Sequence, residues 1–334
     1  MLGSFGHRGM RVGGVATAIV ACTAVVALYA QAPLTLYVSA TDASGMPITD
    51  LKAEEVVMSE NGNPGKVTAA EKFSLPIKLT VALDNGPGSG QSLGFYRNGL
   101  SALVKALPED VEVTVISMAP QPRIVVKSTA NHAEAIKGIT RVAPDEQSAR
   151  FTDTLVEYSQ RLDKENKDKK LNYAPYLIIV STTAAEAASY QRDEIEKAMT
   201  NFVKFGARLS VAMTTTRNSS SLEQRTATAA SANAGPTASD DVQDLNNGRQ
   251  ALIAMPLSKS TNGKYEALAQ PSRLETLLPE WGKMVAAIHT KQVNQYKLSI
   301  TRPAGATGGL NNLDMRFTRS GLNGAVSGDG RYLQ

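Results

Sequence analysis

Two apolar runs constrain this chain more than anything else in it: Ile77 to Leu83, and Tyr176 to Ser181 (Tyr-Leu-Ile-Ile-Val-Ser). Neither alternates with polar residues, so each reads as a strand buried on both faces, the environment of a parallel sheet. Around them, strands and helices take turns. Phe95 to Leu107 places Leu100, Leu103, Val104 and Leu107 at helical spacing and stops before Pro108. Val111 to Met118 and Arg123 to Lys127 read as strands, and the short linker Ala119-Pro-Gln-Pro122 makes them a hairpin. Helices follow at Asn131 to Val142, with Asn131 as N-cap, at Thr152 to Leu162 and at Tyr190 to Phe205. The mixed-charge run Asp163 to Lys170 reads as a solvated loop, and Arg208 to Met213 as the next strand. Such alternation implies an α/β fold with a doubly wound, mostly parallel sheet.

The flanks are different. Leu34, Leu36 and Val38 alternate with Thr35, Tyr37 and Ser39, the period of a half-buried strand. Val56 to Met58 and Lys66 to Phe73 read as two more strands, joined by the turn-rich Glu60-Asn-Gly-Asn-Pro-Gly65. Near the other end, Asn294 to Thr301 and Asn312 to Arg319 have β character. Each flank is too small to bury a core alone. The expectation is one β-sandwich-like accessory module built from residues 33–74 and 292–334, with an α/β domain at 75–291 inserted between them. Residues 214–241 are rich in Thr, Ser, Ala and Asn and read as a long polar loop. Helical periodicity returns over Val242 to Leu257 and Ser272 to His289, where Trp281, Met284, Val285 and Ile288 form an anchoring face.

His7, Arg8 and Arg11 precede an uncharged stretch, Val12 to Tyr29, and then Ala30-Gln31-Ala32. This order of basic, apolar and small residues is that of a secretory signal peptide over residues 1–32. The alternatives are an uncleaved anchor, since about 17–25 residues span a bilayer, and lipidation at Cys22, the chain's one cysteine, in Ile19-Val-Ala-Cys22. The expected location is outside the cytoplasm, with membrane contact only through this segment. Cleavage would leave no cysteine, excluding disulfides and thiol chemistry. The formal charge of +4 falls to +2 once Arg8 and Arg11 are set aside. No basic stripe with interleaved aromatics accompanies it, so no nucleic-acid partner is expected.

The order of certain segments carries a resemblance. Val38-Ser-Ala-Thr-Asp-Ala-Ser-Gly-Met-Pro-Ile-Thr-Asp-Leu51 and Met58-Ser-Glu-Asn-Gly62 come first. A buried strand ending in Asp84-Asn85-Gly86-Pro87-Gly88-Ser89 follows, then Lys291-Gln-Val-Asn-Gln-Tyr-Lys-Leu298 and Asp329-Gly-Arg-Tyr332. The chain resembles von Willebrand factor A-related domain proteins of the acidobacterial type. That family implies an Asp-x-Ser-x-Ser loop, a threonine from a second loop and an aspartate from a third, which together hold a divalent cation. Hard cations such as magnesium take carboxylate and hydroxyl oxygens in octahedral geometry. Asp84 matches the first aspartate, but Gly86 and Gly88 stand at the serine positions and Ser89 is one place out of register. The threonine maps near Thr152 or Asp153, and the third-loop aspartate falls on Thr182.

The resemblance therefore implies a degenerate cation site, no cofactor, and a non-enzymatic interaction or adhesion module for a protein partner. Asp84, Asn85, Ser89, Thr152, Asp153 and Thr182 are its candidate contact residues. The alternatives are a ligand grip with an unusual magnesium or other divalent site, completed by Ser89 or backbone carbonyls, and a scaffold within an envelope or secretion assembly. The glycine-rich loop lacks the Lys-Ser/Thr ending of a P-loop, and Asp84 would repel phosphate. His132 and His289 read as surface or helix-end residues, Asp240-Asp241 as solvated, and Glu54-Glu55 as acids without a partner.

Overall fold

The computed structural model describes residues 34–214, 238–303 and 313–331. The readings of residues 1–32, of 215–237, of the Asp240 and Asp241 side chains and of Tyr332 lie outside the described residues. Pro33–Gln334 is one compact unit, and within it the described strands form two six-stranded sheets.

The first sheet is antiparallel. Its strands are β1 (Leu34–Thr41), β2 (Val56–Glu60), β3 (Asn63–Phe73), β10 (Gln295–Thr301), β11 (Leu313–Phe317) and β12 (Asn323–Ser327), in the order β11-β2-β3-β10-β1-β12. β10 lies between β1 and β3, with Leu36 opposite Leu298 and Ala70 opposite Leu298 on its other side. Inward residues Leu36, Val38, Met58, Leu298 and Ile300 form its core. Met315 and Phe317 from one edge strand and Val326 from the other pack on that same core. This is one curled sheet, not two facing ones as a sandwich would have. A strand of alternating residues has a single apolar face, and curling lets that face cover itself. Glu55 is not partnerless: its carboxylate pairs with the Arg319 guanidinium at 2.8 Å, tying the start of β2 to the segment after β11.

The second sheet comprises β4 (Ile77–Leu83), β5 (Glu112–Ser117), β6 (Arg123–Thr129), β7 (Ala174–Thr182), β8 (Arg208–Thr214) and β9 (Tyr265–Leu268), in the order β6-β5-β4-β7-β8-β9. Its inner pairings are parallel, but the β5–β6 hairpin is antiparallel. The sheet is therefore mixed. Its helices are α1 (Leu93–Lys105), α2 (His132–Arg141), α3 (Phe151–Lys167), α4 (Arg192–Lys204), α5 (Ala238–Ser260) and α6 (Leu274–Val293).

Period-2 alternation sorts the strand side chains between two cores. Leu79, Val81, Ile178 and Val180 face α1, α2 and α6, meeting Tyr96, Leu100, Ile139, Leu278 and Trp281. Ala82, Leu177, Ile179 and Val211 face α3, α4 and α5, meeting Phe151, Leu155, Phe202 and Leu257. The Asn131 side chain accepts from Glu134 N–H and caps α2. The charged run after Leu162 differs from its reading as a loop, because α3 continues to Lys167. Its charges sit at i,i+4 spacing, with Lys167 Nζ 2.6 Å from Asp163, and such pairs prolong a helix. Residues 238–241, read as polar loop, belong to α5.

Candidate functional site

Open α/β sheets present their loops at the carboxyl ends of the strands. Here β4 ends at Leu83 and β7 runs beside it in parallel, with Leu83 opposite Val180. Asp84 N–H continues the ladder to Val180 O at 2.9 Å, which sets the Asp84 carboxylate against Ser181 and Thr182. That carboxylate is 3% exposed. Its Oδ1 accepts from Gly86 N–H at 2.9 Å. Its Oδ2 accepts from the Ser181 hydroxyl at 3.0 Å, the Thr182 hydroxyl at 3.1 Å and Thr182 N–H at 3.3 Å. A buried carboxylate needs hydrogen-bond donors, and here four protein donors meet it, one on Oδ1 and three on Oδ2.

The other candidate residues are equally engaged. Asn85 clamps the neighbouring loop: its Oδ1 accepts from Met118 and Ala119 N–H, and its Nδ2 donates to Ala143 O at 3.0 Å. Ser89 is fully buried and donates to Gly86 O at 2.8 Å. Thr152 donates both its hydroxyl and its backbone N–H to the Glu186 carboxylate. Asp153 takes Arg150 Nη1 at 3.1 Å on one oxygen and Ser189 N–H at 2.8 Å on the other. The structure thus brings Asp84 and Thr182 together and ties Asn85 and Ser89 into the same loop. Thr152 and Asp153 form a second cluster that bonds to the third loop, not to Asp84.

Glu186 and Arg150 are the residues that sequence reasoning missed. Glu186 is the one acid between Ser181 and Tyr190, and that isolation was its signal. Burial pushes its carboxyl above the usual glutamate value, while the Thr152 bonds pull the other way. Arg150 also donates Nε–H to Pro120 O at 2.6 Å, and its backbone N–H bonds Met118 O at 3.2 Å. Four loops are cross-braced in this way. Beneath them Tyr96, buried and raised above the ordinary tyrosine pKa by that burial, reaches the Thr214 hydroxyl at 2.5 Å.

A divalent cation needs convergent oxygens with open lone pairs. Asp84 is held by four protein donors, three of them on Oδ2, and glycines occupy the two serine positions. A Cβ on Gly86 would lie 2.8 Å from Ala149 N and 3.0 Å from Gln147 O, so the backbone of the second loop fills the space a serine would need. Among the described residues no three His, Cys, Asp or Glu side chains converge as a metal would require. The residues present do not fit the family's cation. The histidines stand apart: His132 Nε2 meets Val111 O at 2.9 Å. His289, near the end of α6, is 2% exposed rather than at the surface, bonding Ile77 N–H and Asp110.

The mixed sheet, covered by helices on both faces and carrying its braced loop cluster at the carboxyl ends, is similar in fold to solved von Willebrand A domains. The von Willebrand factor type A protein from Catenulispora acidiphila is 9% identical, with a TM-score of 0.46 over 84% of this chain and 68% of that one. BatB from Bacteroides thetaiotaomicron is 15% identical, with a TM-score of 0.40 over 62% of this chain and 98% of its own. The SpRpn10 von Willebrand A domain is 8% identical, at 0.41 over 61% and 94%. No family model matches the chain, and no curated protein matches it.

Proposed function

We propose that this chain is a non-catalytic protein-interaction module that acts outside the cytoplasm and holds its partner without a metal. One observation carries the reading: four protein donors occupy the Asp84 carboxylate. The contact face is then the braced rim itself, a rigid surface of Arg150, Thr183 and the turn after Asp84. Its stiffness lowers the ordering cost of binding. The sequence order of residues 1–32 supports export, and no described helix is long and apolar enough to cross a membrane.

Calorimetric titration of the purified chain with magnesium, manganese and calcium tests the metal-free reading. The expected result is no heat of binding and no shift in melting temperature. Stoichiometric binding that Asp84→Ala abolishes would overturn it in favour of a cation-dependent grip. Envelope complexes captured through this chain are expected to survive chelator washes. Their loss on chelation would count the same way.

A further inference from the structure

The rim is not the only surface built to receive a chain. Strand β6 is an edge of the second sheet, with no neighbour on its outer side among the described residues. Its Ile124 and Val125 are 49% and 36% exposed. Grooves border it on both faces. On the α2 side a cavity of about 610 Å³ runs along Val125, Lys137, Gly138 and Arg141. On the α3 side a smaller one, about 160 Å³, is lined by Ile124, Lys127, Lys78 and Arg161.

Successive side chains of a regular strand point to opposite faces. β6 pairs irregularly with β5, so that Val125 and Val126 share the α2-side groove, but Ile124 and Val125 still face opposite grooves. A segment paired to β6 would drop alternate residues into the two grooves while its backbone bonded the open edge, the mode of strand addition. Charge selects the occupant. Arg123, Lys127, Lys137 and Arg141 are exposed and none is in an ion pair among the described residues. The acids beside β6 are Glu134 of α2, Glu112, which pairs with Lys78 and accepts from the Ser128 hydroxyl, and Glu165, which pairs with Arg161. We infer that β6 is a docking edge for an extended acidic segment of a partner protein, with small apolar residues between its carboxylates. A second copy of this chain fits poorly in the register centred on Val125. Antiparallel pairing of two β6 strands about Val125 sets Arg123 against Lys127, and like charges directly opposite are repulsive. The lysine that discourages self-pairing is the one that attracts an acidic strand.

The probe is a fluorescently labelled peptide alternating valine and glutamate, with its lysine-for-glutamate counterpart as control, titrated against the full chain by anisotropy. Only the glutamate peptide is expected to bind. Lys127→Glu with Lys137→Glu, both on exposed side chains, should weaken it about tenfold or more. Amide hydrogen exchange over Arg123–Thr129 should slow when the glutamate peptide is added, which non-specific charge attraction would not achieve. Absence of binding by about 1 mM, equal binding of both peptides, or unchanged exchange in β6 would overturn the proposal. So would a dimer of the chain that Val125→Pro disperses. None of these outcomes touches the rim, so they leave the metal-free reading to its own test.

Discussion

Both oxygens of Asp84 receive a backbone N–H, from Gly86 at Oδ1 and from Thr182 at Oδ2. Hydroxyl donors can rotate away from a changed partner, but these cannot. An asparagine would set its NH₂ against one of them whichever way the amide turned. Asp84→Asn, nearly isosteric, should therefore cost about 1–3 kcal/mol, the price of a buried donor left unmet. Urea denaturation measures it, and an unchanged midpoint would refute the donor cage. Glu186 makes the opposite case. Burial raises its carboxyl, and the nearby Asp153 charge adds to the rise. An acid with a folded pKa above its unfolded one binds its proton more tightly in the folded chain. Its contribution is fully present below the unfolded value of 4.5 and is lost as pH rises through the folded value. Glutamine can still accept Thr152 N–H while its NH₂ donates to the Thr152 hydroxyl. Glu186→Gln should thus match or exceed the wild type in stability at neutral pH and flatten the decline above about pH 4.5, as urea titrations at successive pH values would show.

Helices α1 and α6 cross closely over the second sheet. A Cβ on Gly282 of α6 would lie 2.6 Å from Leu103 O and 2.9 Å from Ala106 Cβ, so the helices touch through a missing side chain. Helix propensity alone favours alanine there by about 1 kcal/mol. Overpacking against fixed backbone costs about 1–3 kcal/mol and should win, so Gly282→Ala is expected to lower the melting temperature. The elements themselves were legible to different degrees. β4 and β7 were plain, because burial on both faces leaves no polar alternation. The end of α3 is ambiguous in sequence, since i,i+4 ion pairs and a solvated loop have the same composition. β12 was missed: Asn323-Gly-Ala-Val-Ser327 offers one large apolar residue, and its strand character comes from pairing with Tyr37–Thr41. At the site, Asp84 and Thr182 could be found from strand ends and the family resemblance. Their direct bond, and the Glu186–Thr152 pair across 34 residues, arise only when the sheet sets the loops side by side.

The two sheets are joined by more than chain connection. Leu75 N–H, on the link from β3 to β4, donates to Gln292 O at 3.0 Å. The buried Gln292 side chain donates to Arg331 O, and Arg331 Nη2 reaches Leu171 O at 3.0 Å, before β7. His289 Nδ1 accepts Ile77 N–H at 3.2 Å, so its hydrogen sits on Nε2 and points to Asp110. These bonds hold the end of α6, which runs directly into β10, against the start of β4. β10 in turn occupies the middle of the first sheet, paired on both sides. Loosening either sheet therefore strains the other through α6 and β10. A shared junction of this kind predicts one cooperative opening for the whole unit. Native-state hydrogen exchange should give the same opening free energy for the central amides of β1 and β10 as for those of β4 and β7, and Gln292→Ala should lower both together. Trp281, the single tryptophan, reports the core between the second sheet and α1, α2 and α6, so its fluorescence should follow the far-ultraviolet circular dichroism through a single transition. Exchange that collapses in β1 and β10 while β4 and β7 stay protected would show instead that the curled sheet opens by itself.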